Sequence, residues 1–169
     1  MDPANEIGEE VTITERSRLL SVTPEEAKKI KSLRIENQLI DDEISRKTEV
    51  FAGDPDQVYF VDCSFDGDGK GILRECPSAS KIGLIRCNLS YEILKQLLYS
   101  NNPYNDFDVL DLTGNELAKE PEKFVEVLRK SIVIFKSINE LILVGNGFDE
   151  NIISMIKEVT GKTIRKITI

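Results

Sequence analysis

Apolar residues recur along most of this chain in one arrangement: two alternating positions, a polar pair, a polar residue, then another apolar one. Phe107, Leu110, Leu112, Asn115 and Leu117 show it most clearly, and Ile138, Leu141, Leu143, Asn146 and Phe148 repeat it. Ala79, Ile82, Leu84, Cys87 and Leu89 carry cysteine where the first two copies carry asparagine. Pro55, Val58, Phe60, Cys63 and Phe65 form a degenerate copy, as do Ile30, Leu33, Ile35, Gln38 and Ile40. Ile164, Ile167 and Ile169 begin a further one. Successive starts lie 24 to 31 residues apart. Apolar–polar–apolar alternation predicts a short strand with one face buried. The chain must then turn away, and an Asn, or a Cys with its weak S–H donor, can sit inside that turn and bond the backbone of neighbouring copies. Without such a group, buried N–H and C=O groups would be left unpaired.

Between the strands the pattern changes to helical spacing. Thr23-Pro24-Glu25-Glu26 is a helix start, with Thr as N-cap, Pro at the first position and acids in the first turn. Asp41-Asp42-Glu43-Ile44 begins a second helix, with Val50 and Phe51 as further apolar anchors. Ser90 caps a third, which carries Ile93, Leu94, Leu97 and Leu98 and ends at Asn101-Asn102-Pro103. Glu120 to about Lys130 predicts a fourth, with Phe124, Val125 and Leu128 inward, and Ile132 to Phe135 either extends it or forms a tight connection. Asp149 opens a fifth, through Ile152, Ile153, Ile156 and Val159, ended by Gly161. A short helix at 72–75, ended by Pro77, is the weakest of the set. Residues 1–22 are expected to form an N-terminal arm or cap, ordered from Val11 onward, and residues 23–169 the repeated domain.

A repeated strand–turn–helix unit that cannot bury its own apolar edge must stack on its neighbours. The skeleton L-x-x-L-x-L-x-x-N-x-L, with Asn or Cys in the turn and long helical outer segments, resembles the ribonuclease-inhibitor type of leucine-rich repeat protein over about residues 24–169. The resemblance implies an α/β fold: a curved solenoid of about six repeats, with parallel strands on the concave face and helices on the convex face. It also implies protein recognition on the concave face or the adjoining loops. That class includes cytosolic immune receptors, actin-capping regulators and secreted effectors of intracellular bacteria, so a host-interacting bacterial effector is one of the roles it leaves open.

Composition narrows the chemistry. The 169 residues carry a net charge of −8 and no histidine. An acidic chain argues against nucleic acid or an anionic membrane as the main partner. Lack of histidine removes the commonest general base and metal ligand, so no enzyme, cofactor or metal site is expected. The odd set Cys63, Cys76 and Cys87, without C-x-x-C spacing, fits neither a disulfide framework nor a zinc site; buried thiols and a reducing, cytoplasmic location follow. No signal-peptide pattern and no apolar run of membrane-spanning length are visible.

Two motifs invite sharper chemistry. Asp66-Gly67-Asp68-Gly69-Lys70-Gly71 starts like a calcium loop, but Lys70 and Pro77 stand where ligands belong. It also lacks the glycine spacing and the Ser or Thr of a phosphate loop, so it is expected to be a surface turn. Asp106, Asp108 and Asp111 have no nucleophile beside them and are expected to form a solvated rim.

Strand alternation instead directs attention to the face opposite the core. Its three columns read Ser32, Gln57, Lys81, Val109, Glu140 and Lys166; then Arg34, Tyr59, Gly83, Asp111, Ile142 and Thr168; then Glu36, Val61, Ile85, Thr113 and Val144. A mainly apolar strip on a face that should be wet suggests a binding surface, although β-branched residues there also serve strand propensity. The expected partner-binding residues are Tyr59, Val61, Lys81, Ile85, Val109, Asp111, Thr113, Glu140, Ile142 and Val144. The alternative role is a self-associating scaffold that uses its open ends, with a monomer favoured because Arg165 and Lys166 on the last strand would guard that edge.

Overall fold

Each alternating apolar pair is extended and lies in one sheet. The computed structural model describes residues 8–48, 51, 55–66, 79–99, 107–131, 138–161 and 163–169. The strands are β1 (Glu9–Ile13), β2 (Ile30–Glu36), β3 (Leu39–Ile40), β4 (Gln57–Val61), β5 (Ser64–Phe65), β6 (Lys81–Ile85), β7 (Phe107–Asp111), β8 (Ile138–Ile142) and β9 (Ile164–Thr168). The helices are α1 (Arg16–Ser21), α2 (Pro24–Ala27), α3 (Asp42–Thr48), α4 (Tyr91–Tyr99), α5 (Pro121–Ser131) and α6 (Glu150–Thr160).

The architecture is mixed α/β, with a seven-stranded open sheet in the order β1-β2-β4-β6-β7-β8-β9; the short β3 and β5 pair separately. Every pairing is parallel, and sheet order is chain order. Parallel neighbours need a crossover long enough to return to the same end, and helices supply it in every connection except β4 to β6, where residues 67–78 lie outside the described residues. Register follows the apolar pattern. Val11, Leu33, Val58, Ile82, Leu110, Leu141 and Ile167 stand rung on rung across the sheet, and Ile13, Ile35, Phe60 and Leu84 form the next row. A one-residue slip would turn every one of these to the wrong face.

The core lies on one side of the sheet, between these rows and the helices. Leu19 of α1, Ile44 of α3, Leu94 of α4, Phe124 and Leu128 of α5, and Ile156 of α6 are buried in one cluster with the strand residues. Each such side chain contributes about 1.5–3 kcal/mol on leaving water. Neighbouring helices also touch, α4 to α5, α5 to α6 and α1 to α3. Phe124 stacks on Phe148 with ring centroids 5.2 Å apart.

Helix starts follow the sequence signals. Thr23 and Glu26 form a reciprocal capping box. The Ile152 N–H donates to Asp149 (2.9 Å), the Ile44 N–H to Asp41 (3.0 Å) and the Ile93 N–H to Ser90 (3.2 Å). α6 ends at Gly161 as expected, and the glycine takes the C-cap with φ −50°, in the helical rather than the left-handed region. The buried Thr160 turns its hydroxyl back to the Ile156 carbonyl (2.7 Å), and the Thr163 N–H closes on the Thr160 carbonyl. The arm at residues 9–22 is integral. β1 pairs along the β2 edge, and Ile13, Leu19 and Val22 are buried in the common core. The expected helix at 72–75, Cys76, the segment 132–135, Val50, and the glycines of the 66–71 turn lie outside the described residues.

Directly after the strands, Asn37, Asp62, Arg86, Gly114 and Gly145 occupy equivalent places, and all have positive φ, between 50° and 71°. This kink turns each amide onto the following copy. Asn37 donates to the Val61 carbonyl (3.0 Å), Asp62 to Ile85 (2.9 Å), Arg86 to Thr113 (2.8 Å) and Gly114 to Val144 (2.9 Å). One residue further on lies the expected polar column. Asn115 donates to the Leu84 and Leu112 carbonyls (2.6 and 2.8 Å) and accepts from the Cys87 N–H (2.9 Å). Asn146 donates to Leu112 and Leu143 (3.0 and 2.8 Å) and accepts from the Asn115 N–H (2.9 Å). The Cys63 thiol reaches the Ile35 carbonyl (3.4 Å) and the Cys87 thiol reaches Phe60 (3.4 Å), while Gln38 donates to Thr14 (2.7 Å). The buried backbone of the turn is thereby paired from copy to copy.

Candidate functional site

With the helices on the core side, the opposite face of the sheet is built from the other parity of strand residues. Ser32, Gln57, Val109, Ile85, Thr113 and Ile142 are half-buried there, and Val144 is 42% exposed. Val61 departs from the expectation of an open strip, because it is only 1% exposed although it lies outside the core cluster. Its short side chain sits in register between the longer Glu36 and Ile85. The accessible apolar strip therefore runs over β6, β7 and β8.

Charges on this face are largely matched within the molecule. Arg86 forms a two-pronged pair with Asp62, Nε to Oδ1 and NH2 to Oδ2, both 2.8 Å. That pairing holds the Asp62 carboxyl below its usual range. Glu140 accepts from Lys166 (2.7 Å) and Thr168 (2.6 Å), and these bonds, Lys166 first, lower its carboxyl likewise. Arg34 pairs with Glu36. Asp108, expected on a solvated rim, is half-buried and accepts from Asn139 (2.7 Å). Asp111 is also half-buried, and its Oδ1 receives both the Thr113 N–H (2.9 Å) and the Thr113 hydroxyl (2.6 Å). Asp106 lies outside the described residues. Lys81 is half-buried, and its ammonium has no ion pair or hydrogen bond among the described residues.

At the centre, Tyr59 on β4 and Gly83 on β6 are partners in register. A Cβ added to Gly83 would lie 2.3 Å from the Tyr59 Cδ1 and 2.9 Å from its Cε1. The ring therefore occupies the place of the missing side chain, crosses β6 and buries Gly83. Burial, and after it the Asp111 charge on β7, pushes the Tyr59 phenol above its ordinary range.

Elsewhere the chemistry is internal. Burial pushes the Cys63 thiol up and the Cys87 thiol up to about 12, so both are poor nucleophiles. Asp41, Asp42, Glu43 and Asp66 line a hollow of about 300 Å³. Arg16 reaches Asp41 at 2.8 Å and Glu43 at 2.6 Å, so a cation of the chain itself already serves the acids there. Tyr91 donates its hydroxyl to the Leu117 carbonyl. Among the described residues no group of three or more His, Cys, Asp and Glu side chains is arranged to hold a metal, and no helix is long and apolar enough to cross a membrane.

The structure thus brings Tyr59, Lys81, Ile85, Val109, Asp111, Thr113, Glu140, Ile142 and Val144 onto one face and closes off Val61. Sequence alternation placed these columns correctly. It missed the lean of Tyr59 over Gly83, for which a large aromatic beside a glycine in one column was the available sign. Comparison with known proteins gives no match to a family model, a curated protein or a solved structure.

Proposed function

We propose that this chain is a leucine-rich repeat solenoid of the ribonuclease-inhibitor type, and that it works as a non-catalytic module binding a partner protein on the sheet face opposite the helices. The observation that carries the reading is the strip Ile85, Val109, Ile142 and Val144, half-buried to exposed on a face that no element of the described chain covers. Apolar surface left open on a rigid sheet is what a partner desolvates. The interlocked turns support the reading further, because they hold the strip in one geometry and lower the ordering cost of binding. The test compares parent and Ile142→Glu/Val144→Glu protein as baits in quantitative affinity capture. A protein held by the parent and lost by the variant, at unchanged urea midpoint, is the expected result. Equal capture by both baits would move binding to helices or loops and remove the proposal.

A second reading, self-association through the sheet edges, is favoured by one observation. Exposed Glu9 and Glu10 lie on β1, and exposed Arg165 and Lys166 on β9. Sedimentation in a concentration series decides it. A dimer that dissociates in 0.5 M salt, as screening requires, would favour edge docking, and a monomer throughout would exclude it.

A further inference from the structure

The centre of the binding face has its own chemistry. The Tyr59 ring lies over β6, seated on the backbone of Gly83. Its hydroxyl takes no hydrogen bond among the described residues. On the next strand, Asp111 has both Thr113 donors on Oδ1, which fixes the carboxylate's orientation and leaves Oδ2 without a partner among the described residues. The other acids of the face described above differ, since Asp62, Glu36 and Glu140 each meet a cation of the chain. An aromatic face beside an oriented, half-buried carboxylate attracts a cation through both the ring quadrupole and the charge. The chain's net charge of −8 works in the same direction at longer range.

We propose that Tyr59 and Asp111 form a seat for one cationic side chain, arginine or lysine, of the partner polypeptide, with the Ile85–Val109–Ile142–Val144 strip taking the apolar residues around it. The seat rests on the proposed protein-binding role of this face and specifies what the partner must bring. Lys81 is the rival determinant, because an unpaired lysine on the same face would select an acidic side chain instead. Two features favour the cation. The Asp111 carboxylate is already fixed by two hydrogen bonds, whereas Lys81 carries its charge on a flexible stem and must lose that freedom to bind. The ring, moreover, adds attraction only for a positive group.

The experiment is selection of random dodecapeptides on the immobilised full-length chain, followed by titration of the selected peptides against variants. Peptides that lose binding to Val144→Glu protein are assigned to this face. The expected outcome is that these peptides are enriched in arginine or lysine next to apolar residues. Asp111→Asn should weaken them at least ten-fold, Tyr59→Leu should weaken them, and Tyr59→Phe should leave them within about three-fold, because the ring is retained. Asparagine keeps the oxygen that Thr113 bonds, so unchanged urea unfolding of Asp111→Asn separates lost charge from lost structure. Face-binding peptides without basic enrichment, or indifferent to Asp111→Asn, would overturn the cation seat and leave the proposed function standing. So would acidic peptides that depend on Lys81. If no selected peptide responds to Val144→Glu, both fall together.

Discussion

The N-terminal and C-terminal halves of the sheet solve the same turn with different chemistry. At β7 and β8 the turn residue is asparagine. Asn115 and Asn146 each donate to the carbonyls of two copies and accept from the amide of the copy before. At β2, β4 and β6 the same seat holds Gln38, Cys63 and Cys87, and the thiols reach carbonyls at 3.4 Å or more. The residue after the seat differs as well. Asn88, Glu116 and Gly147 are left-handed, whereas Leu39 and Ser64 are extended and pair as β3 and β5, so here Cys87 goes with the asparagine copies. The open face follows the same division, with Val61 closed and Val144 open. Fold continuity therefore does not depend on one residue type in the turn. It depends on some donor, amide or thiol, reaching the carbonyl row of the preceding strand.

The sharpest way to break this comparison is to charge the face in each half. Val61→Glu should cost about 3 kcal/mol or more, since a carboxylate would be buried without a partner. Val144→Glu should stay within about 0.5 kcal/mol, as surface changes do. Equal urea midpoints for the two would mean that the halves are equally open. Next in size are the turns. Asn115→Ala should lower stability by about 1–3 kcal/mol through orphaned backbone groups. Cys87→Ala should cost less, because the thiol is a weak donor. If the cysteine substitution matches the asparagine in chemical denaturation, the division of labour is wrong. A smaller contrast concerns the kink. Gly114→Ala should cost about 1–2 kcal/mol for a Cβ in left-handed backbone, while Asn37→Gly should be neutral or slightly stabilising, read from thermal midpoints.

A further effect appears only at high pH. Cys87 holds its proton up to about 12 in the folded chain, against an ordinary value of 9.0. The folded protein keeps a proton that the unfolded chain releases, so this contribution is complete below pH 9 and is lost as pH rises from there toward 12. Cys87→Ala should flatten the fall in stability across that window. In the parent protein, native-state alkylation at pH 8 should spare Cys63 and Cys87, with peptide mass spectrometry locating the label. Rapid modification of either would contradict their burial.

The strands and most helices could be read from the chain because their signals are collective. Leu33, Val58, Ile82, Leu110 and Leu141 each sit in a period-two pattern, and Thr23, Ser90 and Asp149 announce helices by capping. Two-residue strands give no period, so β3 and β5 were invisible. The left-handed column was legible in part. Gly114, Gly145, Asn37 and Asp62 are residue types enriched at positive φ, whereas Arg86 adopts it with its amide on the ladder to the next copy. In the candidate site, alternation identified which residues share the open face. Exposure depends on the side chains around a position as well as on its parity, and that is why Val61 was misjudged as an open position.

The left-handed column also acts as an error check while the sheet assembles. Parallel pairing between similar copies invites mispairing by one residue. Such a slip would move Val61, Ile85, Thr113 or Val144 into a seat where the backbone must take positive φ. Branching at Cβ makes each of these a severe misfit, at a cost of about 1–2 kcal/mol per residue. Nearly correct registers are therefore penalised locally at these four turns, in addition to the burial that the same slip would lose.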